Sequence, residues 1–288
     1  RFRNGNHPHL IQLLATYRHG EYYYLVFPCA EGNLMDFWMR NSEPQKTYQL
    51  ALWIASQCRG IAEGLRAIHN DEFENASLTP SELNRGRHGD IKPENILWFK
   101  SSTNMEQRGD DILKISDFGL TRWHREVSSN QTDGVGVFVS KTYRAPEYDL
   151  KKSPSQSWDI WALACLYLEF LTWYLLGWEK GVDEFSRQRA AESSSSIRED
   201  NYFNVEPATG SEFGASLKQC MMTWINRLHA TEGCSLFIHD FLDIIQDGML
   251  LIHHDKRLES KEIHHRLANL YEICRENKVY CFESVHKS

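Results

Sequence analysis

An α+β fold is predicted for this chain of 288 residues, on three observations. Short β-rich runs come early, long patterns of helical spacing come mostly late, and no internal repeat is present. Segregated strands and helices fit α+β layering better than alternating βα units. Composition agrees: 41% hydrophobic and 25% charged residues are ordinary for a globular protein and exclude a disordered chain, a collagen-like fibre or a coiled coil. The formal net charge of −7 argues against a dedicated nucleic-acid binder, which carries a basic surplus. Length alone suggests roughly two units.

The elements follow in order. Residues 10–14 and 22–27 are short apolar runs separated by Arg18-His19-Gly20, and are expected to form a β-hairpin. Residues 28–33 form a connector, and 34–39 a short helix. From 47 to 69, Leu50, Trp53, Ile54, Gln57, Cys58, Ile61, Leu65 and Ile68 recur at three- and four-residue steps, which predicts an amphipathic helix. Residues 71–87 are polar and read as an inserted loop. Strands are expected at 96–99 and 112–115, with a polar connection at 100–111 and a long loop over 122–139. Between 158 and 176 only Asp159, Glu169 and Thr172 are polar. A membrane span rarely carries two unpaired acids, so a central core helix is the better reading. Residues 177–214 read as a polar surface insertion, and three helical patterns close the chain near 217–230, 237–252 and 260–276.

Seven cysteines, odd in number and without a Cys-x-x-Cys pair, predict a reducing, intracellular protein without structural disulfides. The pairs His253-His254 and His264-His265 lack companions at finger-like spacing, so surface or helix histidines are favoured over zinc ligands. The chain opens Arg1-Phe2-Arg3 without a Met, and is expected to be a piece of something longer.

The chemistry concentrates in His88-Gly89-Asp90-Ile91-Lys92-Pro93-Glu94-Asn95 and in Asp117-Phe118-Gly119. If 96–99 and 112–115 pair antiparallel, Asn95 and Asp117 meet at the open end of the hairpin. An amide oxygen and a carboxylate there suit Mg²⁺, which is held by few carboxylates plus substrate phosphates. Asp90 and Lys92 enter the same end, as a proton acceptor and a phosphate-neutralising cation. Phosphoryl transfer needs this kind of positioning and electrostatics.

These motifs, with Ala145-Pro146-Glu147 in third place, resemble the eukaryotic protein kinase family, whose catalytic-loop, metal and late motifs occur in this order. The resemblance implies a bilobal kinase-like fold: residues 1–33 as a remnant of the small lobe with its hinge, and 34–288 as the large lobe. It implies that Asp90 orients and deprotonates the substrate hydroxyl, that Lys92 meets the transferred phosphate, and that Asn95 and Asp117 hold Mg²⁺. The connector with Phe27, Cys29 and Ala30 is similar to the adenine-binding hinge for ATP, with Leu97 beneath the base. Leu13, His88 and Phe118 resemble members of the apolar column between lobes. Trp158-Asp159-Ile160-Trp161 resembles the start of the central helix, whose acid anchors the catalytic loop. Asp255-Lys256-Arg257 resembles the late motif whose Arg pairs with Glu147. Lys92-Pro93-Glu94-Asn95, with Ser140 three residues before Tyr143, resembles the serine/threonine branch. A protein Ser/Thr hydroxyl is the implied substrate.

Two departures accompany the resemblance. Gly89 stands where the family usually has an Arg that meets a phosphorylated activation loop, so activity independent of that phosphorylation is expected. The Gly-rich loop, strand Lys and helix Glu of the family would precede His7-Pro8-His9-Leu10, and no Lys occurs before Lys46. The chain alone is therefore expected to be nearly inactive. A kinase reading and a pseudokinase scaffold reading both remain open at this point. The inserted loops are expected to be tolerated surface segments more than partner sites.

Overall fold

A computed structural model describes residues 7–69, 85–100, 111–117, 122–124, 141–193, 198–206 and 214–285. Strands β1 (Ala15–His19) and β2 (Tyr22–Val26) form an antiparallel hairpin around Gly20. The first strand thus lies after the expected 10–14 run. Leu10 and Ile11 are used elsewhere: Ile11 N donates to Ile115 O at 2.9 Å and Ile115 N to His9 O at 2.8 Å. Both residues are buried there, so the apolar run serves the core and the exposed hairpin begins beyond it.

Short strand β3 (Gly32–Asn33) leads into α1 (Leu34–Arg40). The helix starts at a reciprocal cap: Asp36 N donates to the Asn33 side chain at 2.9 Å and Asn33 N to the Asp36 carboxylate at 3.1 Å. Helix α2 (Tyr48–His69) buries its predicted face, including Trp53, Ile54, Cys58, Ile61, Leu65 and Ile68. Gly60 on α2 is required by a close crossing, because a Cβ there would lie 2.0 Å from His9 Nε2.

Strand β4 (Arg85–Arg87) pairs with β7 (Arg122–His124). Residues 85–87 therefore belong to the fold, not to the inserted loop assigned to 71–87. Strands β5 (Ile96–Phe99) and β6 (Ile112–Ile115) pair antiparallel, with Ile96 opposite Ile115, and β3 adds to the other edge of β5. After the short helix α3 (Pro146–Asp149), α4 (Gln156–Leu176) runs through the core. It is long and apolar enough to cross a membrane, yet 94% of its apolar window is buried inside the protein. Its all-round apolarity is that of a central helix.

The expected surface insertion at 177–214 is corrected. A π-helical turn at Trp178–Asp183, helix α5 (Glu184–Ala191) and strands β8 (Phe203–Glu206) and β9 (Gly214–Leu217) occupy it. Phe185, Arg189, Tyr202 and Phe203 are buried. Arg189 pairs with Glu169 of α4 at 2.8 Å, and that carboxylate also accepts from Tyr143 Oη at 2.7 Å and Tyr202 Oη at 2.8 Å. A polar sequence conceals this segment because one of its charges, Arg189, is consumed inside the core rather than solvated. Helices α6 (Gln219–His229), α7 (Leu236–Ile244), α8 (Ser260–Glu276) and α9 (Lys278–Phe282) complete the helical body.

Candidate active site

The loop before β5 is anchored by a buried carboxylate on α4. Asp159 accepts from His88 N and Gly89 N, both at 2.8 Å, and from His69 Nε2 at 2.9 Å. Burial alone would raise the Asp159 carboxyl, but the hydrogen bond and proximity of His69, with help from His88 and the Gly89 amide, hold it below the usual carboxylate range. His69 is a positioning residue that the sequence did not single out. It closes α2, and Gln156 Nε2 donates to its carbonyl at 2.8 Å.

His88 is fully buried. Its Nε2 donates to Ser116 O at 2.8 Å, and its Nδ1 accepts from Asp90 N at 3.2 Å. A carbonyl can only accept, so the ring's proton sits on Nε2. His88 thereby ties the loop to the residue preceding Asp117. Ser116 adds two further ties, because its N and Oγ donate to Asn95 O at 2.8 and 2.9 Å. The expected convergence of Asn95 and Asp117 at the open end of β5–β6 is brought about in this way. Ser116 was also overlooked, and its place between strand and motif was the available signal.

Asp90, Lys92 and Asn95 form one cluster. Lys92 Nζ lies 2.6 Å from Asp90 Oδ2, and Asn95 Nδ2 donates to Asp90 O at 2.8 Å and Oδ2 at 2.9 Å. Asp90 and Asn95 are buried, while Lys92 is partly exposed. With Nδ2 engaged, the amide oxygen of Asn95 is the atom for a cation. Asp117 is exposed and adopts φ +59°, a left-handed conformation that aspartate tolerates better than most non-glycine residues. A hard-oxygen pair beside a carboxylate–ammonium pair fits Mg²⁺ with phosphate oxygens. Gly89 has φ +87°, a region in which an L side chain costs about 1–2 kcal/mol.

The connector is stitched to β5: Glu31 N donates to Trp98 O at 2.9 Å, and Asn33 pairs with Leu97. Cys29 is exposed, Ala30 and Leu97 are half-buried, and Phe27 is exposed. Leu13 is 45% exposed, which corrects its expected place in an internal column: it follows the buried Leu10-Ile11 pair toward the exposed hairpin. Phe118, Gly119 and Ser140 lie outside the described residues. The Glu147–Arg257 pair is formed and buried, with Arg257 Nη2 at 2.6 Å from Glu147 Oε1.

A catalytic-type loop pinned to a central helix, facing a hairpin that offers two hard oxygens, defines a phosphoryl-transfer fold. The chain belongs to the protein kinase family, whose domain model matches residues 2–268. It is 27% identical over 168 residues to the serine/threonine-protein kinase SSN3 of Coccidioides immitis, covering 58% of this chain and 31% of that protein. It is 29% identical over 172 residues to cyclin-dependent kinase F-4 of Oryza sativa subsp. japonica, covering 59% and 30%. It is 30% identical over 172 residues to the meiosis induction protein kinase IME2/SME1 of Saccharomyces cerevisiae, covering 56% and 24%. The matched stretch thus spans about a third or less of these relatives' length.

Proposed function

We propose that this protein is a serine/threonine kinase that transfers the γ-phosphoryl group of ATP to a protein hydroxyl. The observation that carries the reading is the Asp90–Lys92–Asn95 cluster, held on Asp159 and complete in its donor set. Asp90 accepts the proton of the substrate hydroxyl. Lys92, close to Asp90 and partly exposed, offsets charge on the transferring group. Asn95 and Asp117 would hold Mg²⁺, which when bound neutralises phosphate charge. His88 and Asp159 keep the loop in register with Asp117. The connector around Phe27, Cys29 and Ala30, beside Leu97, would receive adenine, with residues 1–33 serving as the edge of a small lobe and 34–288 as the large one. The seven cysteines, odd in number and without a Cys-x-x-Cys pair, fit a reducing, intracellular setting.

A second reading, a pseudokinase that binds without transferring, is favoured by one feature. Gly89 replaces the Arg of the family pattern, and with it the usual partner of a phosphorylated activation loop. Phosphate transfer to Ser- and Thr-containing peptides, by the chain fused to a family small lobe that supplies the Gly-rich loop and strand Lys, separates the two. The kinase reading expects activity that Asp90→Ala lowers by about a hundredfold or more and that Asp117→Ala abolishes. Equal turnover in all three proteins would overturn it in favour of the binding module.

A further inference from the structure

The turn joining α6 to α7 carries a cluster that phosphoryl transfer does not use. His229 ends α6, Cys234 lies in the turn and His239 sits on α7. One ligand atom from each, a ring nitrogen of either histidine and the cysteine sulfur, lies within 4.8 Å of the other two. Cys234 and His239 are buried and His229 is half-buried. The two imidazoles stack with centroids 4.9 Å apart and 10° between planes, and their Nδ1 atoms are 2.6 Å apart.

The outer nitrogens fix what the inner ones can be. His239 Nε2 lies 2.9 Å from Val285 O. A carbonyl only accepts, so Nε2 carries the hydrogen and Nδ1 of the neutral ring is a lone pair. His229 Nε2 faces Asp243 Oδ1 at 3.6 Å, which favours a hydrogen there too. Two lone pairs aimed at each other at 2.6 Å repel unless a positive centre lies between them. We propose that His229 Nδ1, His239 Nδ1 and Cys234 Sγ bind a zinc ion.

The donor chemistry supports zinc. Two imidazoles and a thiolate are a borderline-soft set that suits a tetrahedral Zn²⁺. A carbonyl behind one imidazole and a carboxylate behind the other are the outer contacts that orient metal-bound histidines. Zinc–nitrogen bonds of about 2.0–2.1 Å at a tetrahedral angle separate the nitrogens by about 3.3 Å, so the rings part slightly as the ion enters. His229, half-buried at a helix end, provides that movement. The ion replaces a proton shared by the two rings, the Cys234 thiol gives up its own, and water takes the fourth position. Zinc would then staple α6 to α7 and, through Val285, to the C-terminal segment. The ligands follow a His-x₄-Cys-x₄-His spacing that no finger pattern contains.

The test is a zinc titration of the chelator-stripped full chain against a chromophoric competitor, with cobalt as a spectroscopic reporter. One equivalent of Zn²⁺ per chain is expected. The Co²⁺ form should show a thiolate charge-transfer band that Cys234→Ser removes. His229→Ala, at a half-buried position that tolerates truncation, should lose the stoichiometric site while keeping the native far-ultraviolet dichroism. Asp243→Asn should weaken binding about tenfold to a hundredfold, and Cys220→Ser should leave it unchanged. Absence of a one-to-one zinc complex overturns the proposal. So does equal affinity in His229→Ala and Cys234→Ser, which would place any bound zinc elsewhere.

Discussion

Replacing Glu147 with alanine should destabilise the protein by about 3 kcal/mol or more, because it strands a buried cation. Arg257 is surrounded on every side. Its Nη2 and Nη1 meet the Glu147 carboxylate at 2.6 and 3.4 Å, Nη1 donates to Ser157 O at 2.8 Å, and Nε donates to Leu251 O at 2.7 Å. The guanidinium also lies 4.9 Å from the centre of the Trp161 ring. Burial pulls the Arg257 proton affinity below its ordinary level, and Glu147 opposes this. In Glu147→Ala the carbonyls still accept hydrogen bonds, but none of them cancels the charge. The loss should therefore fall at the lower end of the about 3–5 kcal/mol seen when one partner of a buried pair is removed. Glu147→Gln keeps an acceptor oxygen and should cost less. The double variant Glu147→Leu/Arg257→Met removes the charge altogether, and should recover part of the loss while leaving the carbonyls of Ser157, Leu251 and Ile252 to find new donors. Urea unfolding midpoints at unchanged slope measure these differences. A loss below about 1 kcal/mol for Glu147→Ala, or a double variant less stable than the single one, would refute the reasoning.

Further outcomes follow from the same geometry. Asp159→Asn leaves one acceptor oxygen for three donors and should cost about 3 kcal/mol, read by denaturation; a stability equal to wild type would show that these contacts carry no net weight. Burial against α2 lowers the His9 pKa from 6.5 to about 4, so the unfolded chain binds the proton first as pH falls. Stability should therefore drop between pH 6.5 and about 4, by on the order of 3 kcal/mol, and the drop should be smaller in His9→Asn; identical pH profiles would sink this. Gly60→Ala gains about 1 kcal/mol of helix propensity but drives a methyl into the His9 ring, so its Tm should fall; a rise would show that the ring yields freely.

Much of the site was legible because its geometry is local. Two four-residue strands with one obvious register place Asn95 and Asp117 at the same end, whatever surrounds them. The Glu147–Arg257 pair spans 110 residues and was reached only through the family resemblance, since no periodicity joins them. The hairpin start was missed because residues 15–19 and 22–26 are exposed throughout, so no alternation between buried and open faces marks them. The apolar run at 10–14 drew the assignment instead, although Leu10 and Ile11 serve the edge of β6. The 177–214 segment misled for the opposite reason. Arg189 and Glu199 read as solvated charges, yet Arg189 pairs with Glu169 of α4 at 2.8 Å, and Lys218 Nζ donates to Arg189 O and Glu199 O, both at 2.8 Å, inside the core. Charge that neutralises itself within a fold leaves no trace in a hydropathy pattern.

The grip of Asp159 on the His88 and Gly89 amides has a consequence for exchange with solvent deuterium. Loop amides ordinarily exchange through small local openings. These two protons belong to hydrogen bonds whose acceptor is buried on the central helix, so releasing them requires the loop to pull away from that buried carboxylate. They should exchange more slowly than other loop amides, with or without nucleotide. The loop that carries Asp90 would then be a fixed template, rigid before any substrate arrives.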